Sequence, residues 1–168
     1  CMAYGYFVEP YRIEVSTTTL PTSKLRTAGF RIVQISDLHC DVKARNEERM
    51  VQIVNGLKPD IVVATGDYLN HRDALGRLRD SLGRLEAPLG KFAVIGNHDL
   101  RHLRQFDPLE GTGFRWLDRE TVVVKKDADR LGITGLAFLR SEDPIDPIAP
   151  LADDRFDVFL FHTPDLIE

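Results

Sequence analysis

Cysteine is scarce in this 168-residue chain: there are two, Cys1 and Cys40, and with one at the very end the sequence offers no disulfide framework. Basic residues are not in excess, and the formal net charge is -4 with a pI of about 5.7. Without a Lys/Arg-rich stretch there is no electrostatic footprint for nucleic acid. Long apolar runs are missing as well, since none approaches the ~18 residues that cross a bilayer. No complete signal peptide, internal repeat or low-complexity tract is present. The chain opens on Cys1 rather than methionine and stops at Leu166-Ile167-Glu168 without a domain-ending feature. Both ends read as cut edges, which leaves room for an upstream targeting or membrane segment. What is there is ordinary globular material: 43% hydrophobic residues and a length that suits one domain with a real core.

Periodicity divides the chain. Tyr11–Thr17 alternates, with Ile13 and Val15 on one face, and predicts a strand with one wet side; Thr18–Ala28, polar and holding Pro21, predicts a loop. Phe30–Ile35 predicts the next strand. Met50, Ile53, Val54 and Leu57 mark one face of a helix. Asn46 can cap it, Glu47 and Glu48 suit the positive end of its dipole, and Pro59 ends it. Ile61–Ala64 is continuously apolar, as in a strand buried on both faces. Leu75, Leu78, Leu82 and Leu85 predict a second helix, stopped by Pro88, and Lys91–Ile95 a third buried strand. Another helix is expected near Arg101–Leu109. Val122–Val124 and Leu131–Leu136 read as paired strands, Pro144, Pro147 and Pro150 as a rigid surface loop, and Phe156–Phe161 as a last apolar strand. The early alternation argues for parallel strands with crossover helices, and the later strands for a second sheet packed on the first.

The chemistry gathers where apolar strands stop. Phe30–Ile35 runs into Ser36-Asp37-Leu38-His39, Ile61–Ala64 into Thr65-Gly66-Asp67, and Lys91–Ile95 into Gly96-Asn97-His98-Asp99. The last strand adds His162. Parallel strands set such ends side by side, where ligand sites of open α/β sheets lie. Carboxylates, imidazoles and an amide together suit Zn, Mn or Fe. The two oxygens of Asp67 can bridge two metals, which together clamp the oxygens of a phosphate. Gly66 and Gly96 permit a tight turn and a close backbone approach.

The set Asp37-x-His39, Gly66-Asp67, Gly96-Asn97-His98-Asp99 and His162 resembles the calcineurin-like metallophosphoesterase superfamily, from about Phe30 to the end of the chain. The stretches Leu57–Asp67 and Ala87–Asp99 resemble a bacterial, membrane-associated branch that includes UDP-2,3-diacylglucosamine pyrophosphatase-like enzymes. The resemblance implies an α/β fold, a four-layer α-β-β-α sandwich, over residues 30–168, preceded by an N-terminal strand and loop over 1–29. It implies two divalent metal ions (Mn, Fe or Zn) and a bridging hydroxide that hydrolyses a phosphodiester or pyrophosphate bond. Asp37 and His39 would bind the first metal, Asp67 would bridge, and Asn97 and His162 would bind the second. His98 would protonate the leaving group or stabilise the transition state, and Asp99 would hold the His98 ring by a hydrogen bond. The implied partner is a phosphate-containing small molecule or lipid-linked substrate, in a protein associated with the bacterial cytoplasmic membrane through an upstream segment. The family's Gly-His-x-His motif, which supplies one further histidine to each metal, does not occur here. A chain truncated before that motif, with an incomplete second sheet, is the expectation.

Each piece also has a plainer reading. A lone Asp-x-His arises by chance, Gly-Asp at a strand end is often a turn, and Asn97 or Asp99 can simply cap a helix. Their joint appearance in order carries the weight. His71 and His102 read as solvated, Arg101 and Arg104 as an exposed helix face able to meet a phosphate, and Cys40 as a bystander. Phe114, Trp116 and Leu117 read as core. The alternatives are a non-catalytic binding or scaffold module of the same fold, and a nuclease of the same superfamily, which the acidic balance disfavours.

Overall fold

A computed structural model describes residues 11–27, 29–101, 105–137 and 154–163. Its first sheet has the order β1 (Ile32–Ile35), β2 (Ile61–Ala64), β3 (Lys91–Ala93) and β4 (Phe114–Trp116), and every neighbouring pair is parallel. Helix α1 (Glu47–Gly56) connects β1 to β2, and α2 (Leu75–Gly83) connects β2 to β3. The second sheet has the order β5 (Glu120–Lys126), β6 (Asp129–Gly135) and β7 (Phe156–Leu160); β5 and β6 are antiparallel, β6 and β7 parallel.

The period-2 alternation of β2 sorts the core into two layers. Val62 and Ala64 face Met50, Val51 and Val54 of α1 and Leu78 and Leu82 of α2. Ile61 and Val63 face Val124, Leu131, Ile133 and Leu160 of the second sheet, together with Phe92 and Val94. All four residues of β2 are at most 2% exposed, so it is buried on both faces as its unbroken apolar run predicts. Burying Ile61, Val62 and Val63 contributes about 1.5–3 kcal/mol of transfer free energy each. The expected mixed α/β architecture, a parallel sheet with a second sheet packed on it, is thus present.

The predicted elements shift in detail. On α1 the buried face is Met50, Val51 and Val54, so Val51 points inward and Ile53 is only half-buried. Asn46 occupies the cap position without a side-chain cap bond. Beyond the helix Lys58 takes a positive φ of 49°, the departure from helical geometry expected before Pro59. Lys91 reaches from β3 to the end of α2, where its ammonium donates to the carbonyls of Leu82 (3.1 Å) and Thr112 (2.5 Å); burial holds its pKa below the usual lysine value.

Two expectations fail. Tyr11–Thr17 forms no strand; Ile13 packs against the helical core layer, but Val15 is 52% exposed. The segment pairs with no sheet edge and is instead tied down further on, where the Asp129 carboxylate accepts the N–H groups of Arg26 and Thr27 and the Thr27 hydroxyl. The helix expected near Arg101–Leu109 is, in the described residues, one 3₁₀ turn over Asp99–Arg101 followed by turns that contain Pro108. The proline loop at 144–150 lies outside the described residues. Among the described residues no helix is long and apolar enough to cross a membrane.

Candidate metal centre

The loops after β1 and β2 continue the strand pairing beyond the sheet. Asp37 N–H donates to Gly66 O (3.0 Å), His39 N–H to Asp67 O (2.9 Å), Cys40 N–H to Tyr68 O (3.0 Å) and Asn70 N–H to Cys40 O (2.9 Å). Along this zipper Asp37, His39 and Asp67 take left-handed φ values of 53°, 42° and 57°. Non-glycine residues pay a steric penalty there and hold it only where the surroundings over-determine the backbone; such residues cluster at functional sites. The left-handed turns break the extended geometry, and both side chains of the Asp-x-His pair turn toward Asp67.

The loop after β3 docks onto the loop after β2. Asp99, 1% exposed, accepts N–H bonds from Asp67 (2.8 Å) and Gly96 (2.8 Å) through one oxygen and from Tyr68 (3.0 Å) through the other. Burial nevertheless raises its pKa above the ordinary aspartate value, with the nearby Asp67 adding to the rise. The expected bond from Asp99 to the His98 ring is not among the contacts of the described residues. Both oxygens serve backbone amides, so the residue braces two site loops against each other rather than holding the His98 ring. The fully buried Tyr68 hydroxyl lies against Ala64 O (2.9 Å) and Val94 O (2.8 Å) and accepts Gly66 N–H (3.2 Å), joining the same two strand ends. Gly66 and Gly96 permit this docking: a Cβ on Gly66 would come within 2.6 Å of the Gly96 backbone, and one on Gly96 would strike the Asp67 carboxylate.

The side chains converge on Asp67, whose carboxylate is 5% exposed. His39 Nε2 lies 3.4 Å from Asp67 Oδ2 and 3.8 Å from Asp37 Oδ1. His162, beyond the end of β7, places Nε2 at 3.5 Å from Asp67 Oδ1. His98 donates its backbone N–H to Asp67 Oδ1 (3.0 Å), and its ring stands edge-on to His39 with centroids 5.0 Å apart. Among the described residues two triplets have donor atoms mutually within 4.8 Å, His39 with Asp67 and His98, and Asp37 with Asp67 and His162. The structure therefore brings together Asp37, His39, Asp67, Asn97, His98 and His162, with Asp99 behind them.

The hydrogen bonding of the two histidines tests whether this set fits a cation. His162 Nδ1 is 2.7 Å from Thr65 O, and His39 Nδ1 is 2.7 Å from Asn70 Oδ1. A carbonyl oxygen only accepts, so both Nδ1 atoms carry the proton. In the neutral rings this leaves the Nε2 lone pairs facing carboxylate oxygens. Asn97 Oδ1 adds another acceptor, 2.9 Å from His162 Nε2. Acceptors pointed at one another are what a divalent cation resolves. Turned over, the Asn97 amide donates to His162 Nε2 (2.9 Å) and to both Asp67 oxygens (3.3 Å each), which satisfies the same groups by themselves. The fit to a metal therefore rests on the two Nε2 atoms facing the Asp37 and Asp67 carboxylates and not on Asn97.

The remaining sequence candidates separate cleanly. Cys40 is buried, and burial together with the neighbouring Glu47 pushes its thiol up to about 12, so it is a protonated bystander. His71 is exposed and accepts Asp73 N–H at the start of a 3₁₀ turn. Phe114 and Leu117 are core, and Trp116 donates to Asp107 Oδ1 (3.0 Å). The side chain of Arg101, and His102 and Arg104, lie outside the described residues. Sequence reasoning missed Asn70, the Thr65 carbonyl and Tyr68. Asn70 follows Gly66-Asp67 closely enough to have been considered, whereas the other two roles appear only in three dimensions.

A family model described as calcineurin-like phosphoesterase matches residues 30–165. The chain is 30% identical over 173 residues to an uncharacterized metallophosphoesterase of Aquifex aeolicus, covering 96% of this chain and 66% of that protein. It is 38% identical over 98 residues to UDP-2,3-diacylglucosamine pyrophosphatase LpxG of Chlamydia trachomatis, covering 55% of this chain and 30% of that protein. A solved archaeal phosphodiesterase aligns with a TM-score of 0.43 and 15% identity, covering 82% of this chain and 87% of that one. The chain thus spans under two thirds of the length of both sequence relatives.

Proposed function

This chain belongs to the calcineurin-like phosphoesterase family, and on that premise we propose that it hydrolyses a phosphodiester or pyrophosphate bond with two divalent metal ions, Mn, Fe or Zn. The observation that carries the reading is the convergence of His39 Nε2 and His162 Nε2 on opposite oxygens of Asp67, at 3.4 and 3.5 Å, with both rings held by their Nδ1 atoms. Asp37 and His39 would hold one ion, Asn97 and His162 the other, and Asp67 both. Divalent ions so held would lower the pKa of bound water and neutralise charge on phosphate oxygens. The chain's own groups do the rest. His98 stands beside His39 and Asp67, with a ring free of any bond to Asp99, and delivers a proton to the departing oxygen. Asp99 and Tyr68 keep the loops from spreading as charge develops. The favoured substrate is a lipid-linked or nucleotide-sugar pyrophosphate resembling UDP-2,3-diacylglucosamine, supported by the likeness to LpxG.

The test is hydrolysis of a bis-aryl phosphodiester and of UDP-2,3-diacylglucosamine with Mn²⁺, Fe²⁺ or Zn²⁺ supplied, alongside metal content by mass spectrometry. The expected result is cleavage that stops on chelation and in Asp67→Ala. Activity that survives both chelation and that substitution would sink the mechanism; cleavage of the diester alone would remove the lipid-linked substrate.

A further inference from the structure

We infer that Asn70 is a positioning residue that locks His39 into the tautomer able to serve the site. Asn70 Oδ1 lies 2.7 Å from His39 Nδ1. An amide oxygen accepts, so the bond places the ring proton on Nδ1 and turns Nε2 toward Asp67 Oδ2 and Asp37 Oδ1. The anchor is itself fixed. Asn70 N–H donates to Cys40 O (2.9 Å), and Leu69 forms a parallel bridge to Cys40, so the residue is tied to the loop that carries His39.

The residue type matters as much as the position. A neutral ring facing the carboxylates of Asp37 and Asp67 on its Nε2 side is drawn toward the tautomer that puts the proton on Nε2. An acceptor behind Nδ1 opposes that tautomer. A carboxylate there would do the same but add a further negative charge; an amide sets the orientation and stays neutral. The arrangement mirrors His162, whose Nδ1 is held by the Thr65 carbonyl. One site histidine is therefore oriented by backbone, which substitution cannot remove, and the other by an exposed side chain, which it can.

This inference rests on the metal reading above for its consequence, but its core can be read without metal. Histidine-selective ¹⁵N labelling of the metal-free chain at a pH where the ring is neutral reports which nitrogen of His39 carries the proton. In the unmodified chain and in Asn70→Asp, which keeps an acceptor, the proton is expected on Nδ1. In Asn70→Leu, similar in size but with no acceptor, it moves to Nε2. Because Asn70 is exposed, the fold survives both changes, as an unaltered thermal midpoint will show. Equilibrium dialysis with Mn²⁺ or Zn²⁺ should then give about tenfold weaker binding in Asn70→Leu and near-normal binding in Asn70→Asp. An Asn70→Leu spectrum that keeps Nδ1–H, or an Asn70→Asp chain as impaired as Asn70→Leu, overturns the inference. An unmodified chain that binds no metal counts against the proposed function, and the nitrogen spectra still decide the role of Asn70.

Discussion

The two sheets contribute unequally to the site. The first is built of short strands, four residues in β2 and three in β3, all parallel. The second has two seven-residue strands, β5 and β6, paired antiparallel along their whole length. Among the described residues the longer-stranded sheet supplies one site residue, His162, while the short strands lead into Asp37, His39, Asp67, Asn97, His98 and Asp99. Direction explains the difference. Parallel strands deliver every carboxyl end to one edge, whereas an antiparallel hairpin sends successive ends to opposite edges. In the second sheet β6 and β7 run parallel and end side by side, and among the described residues it is the end of β7 that reaches the Thr65 carbonyl, through His162. Length and regularity are features of scaffold; shared direction is the feature of the site.

Substitutions can break or sharpen this division. The largest effect is expected at the first sheet's edge, where His98→Ala should cost about 10²–10⁴-fold in turnover with an unchanged melting temperature. Next comes the second sheet's core. Ile133, 0% exposed and packed against the first sheet, should lose about 2–5 kcal/mol of stability as Ile133→Ala, read by urea denaturation, while the folded fraction keeps its metal content. Metal loss from that folded fraction would mean that the second sheet shapes the site and does not merely support it. Gly96→Ala should cost about 1–3 kcal/mol by overpacking and, unlike Ile133→Ala, should lower metal content in molecules that remain folded, because the added methyl displaces the Asp67 carboxylate.

The smallest effect is expected at the second sheet's far end. The amides of Arg26 and Thr27 and the Thr27 hydroxyl hold the Asp129 carboxylate below the ordinary aspartate pKa. A depressed folded value means that the tie is fully present above the unfolded pKa of about 4 and is lost as pH falls through the lower folded value. Proteolytic nicking within residues 11–27 should therefore rise in acid, and Asp129→Asn should show that susceptibility already at neutral pH.

Much of this was legible in the sequence where local pattern and final environment agree. The unbroken run Ile61–Ala64 announced a strand covered on both faces, and each polar tail after an apolar strand announced a site loop. The failures have a common physical origin in partners remote along the chain. Tyr11–Thr17 has strand-like alternation, but no edge receives it. Phe114–Trp116 is a strand only because β3 lies beside it; three residues carry no period of their own. Asp99 looked like a neighbour for His98, yet its acceptor oxygens are claimed by amides 31 and 32 residues away in the chain as well as by Gly96. The left-handed backbone of Asp37, His39 and Asp67 has only a faint signature, since Asp and His tolerate that region better than other non-glycine residues but rarely occupy it.

Cys40 sits where the two site loops are bridged, between His39 on its own loop and Leu69 and Asn70 on the next. With 3% of its surface exposed and its thiol protonated at neutral pH, it is shielded from alkylating reagents as long as the loops stay zipped. Its rate of covalent labelling is then a clock for the opening of the site itself, distinct from global unfolding. Slower labelling on addition of a divalent ion would report, without any substrate, how firmly that ion fastens the loops together.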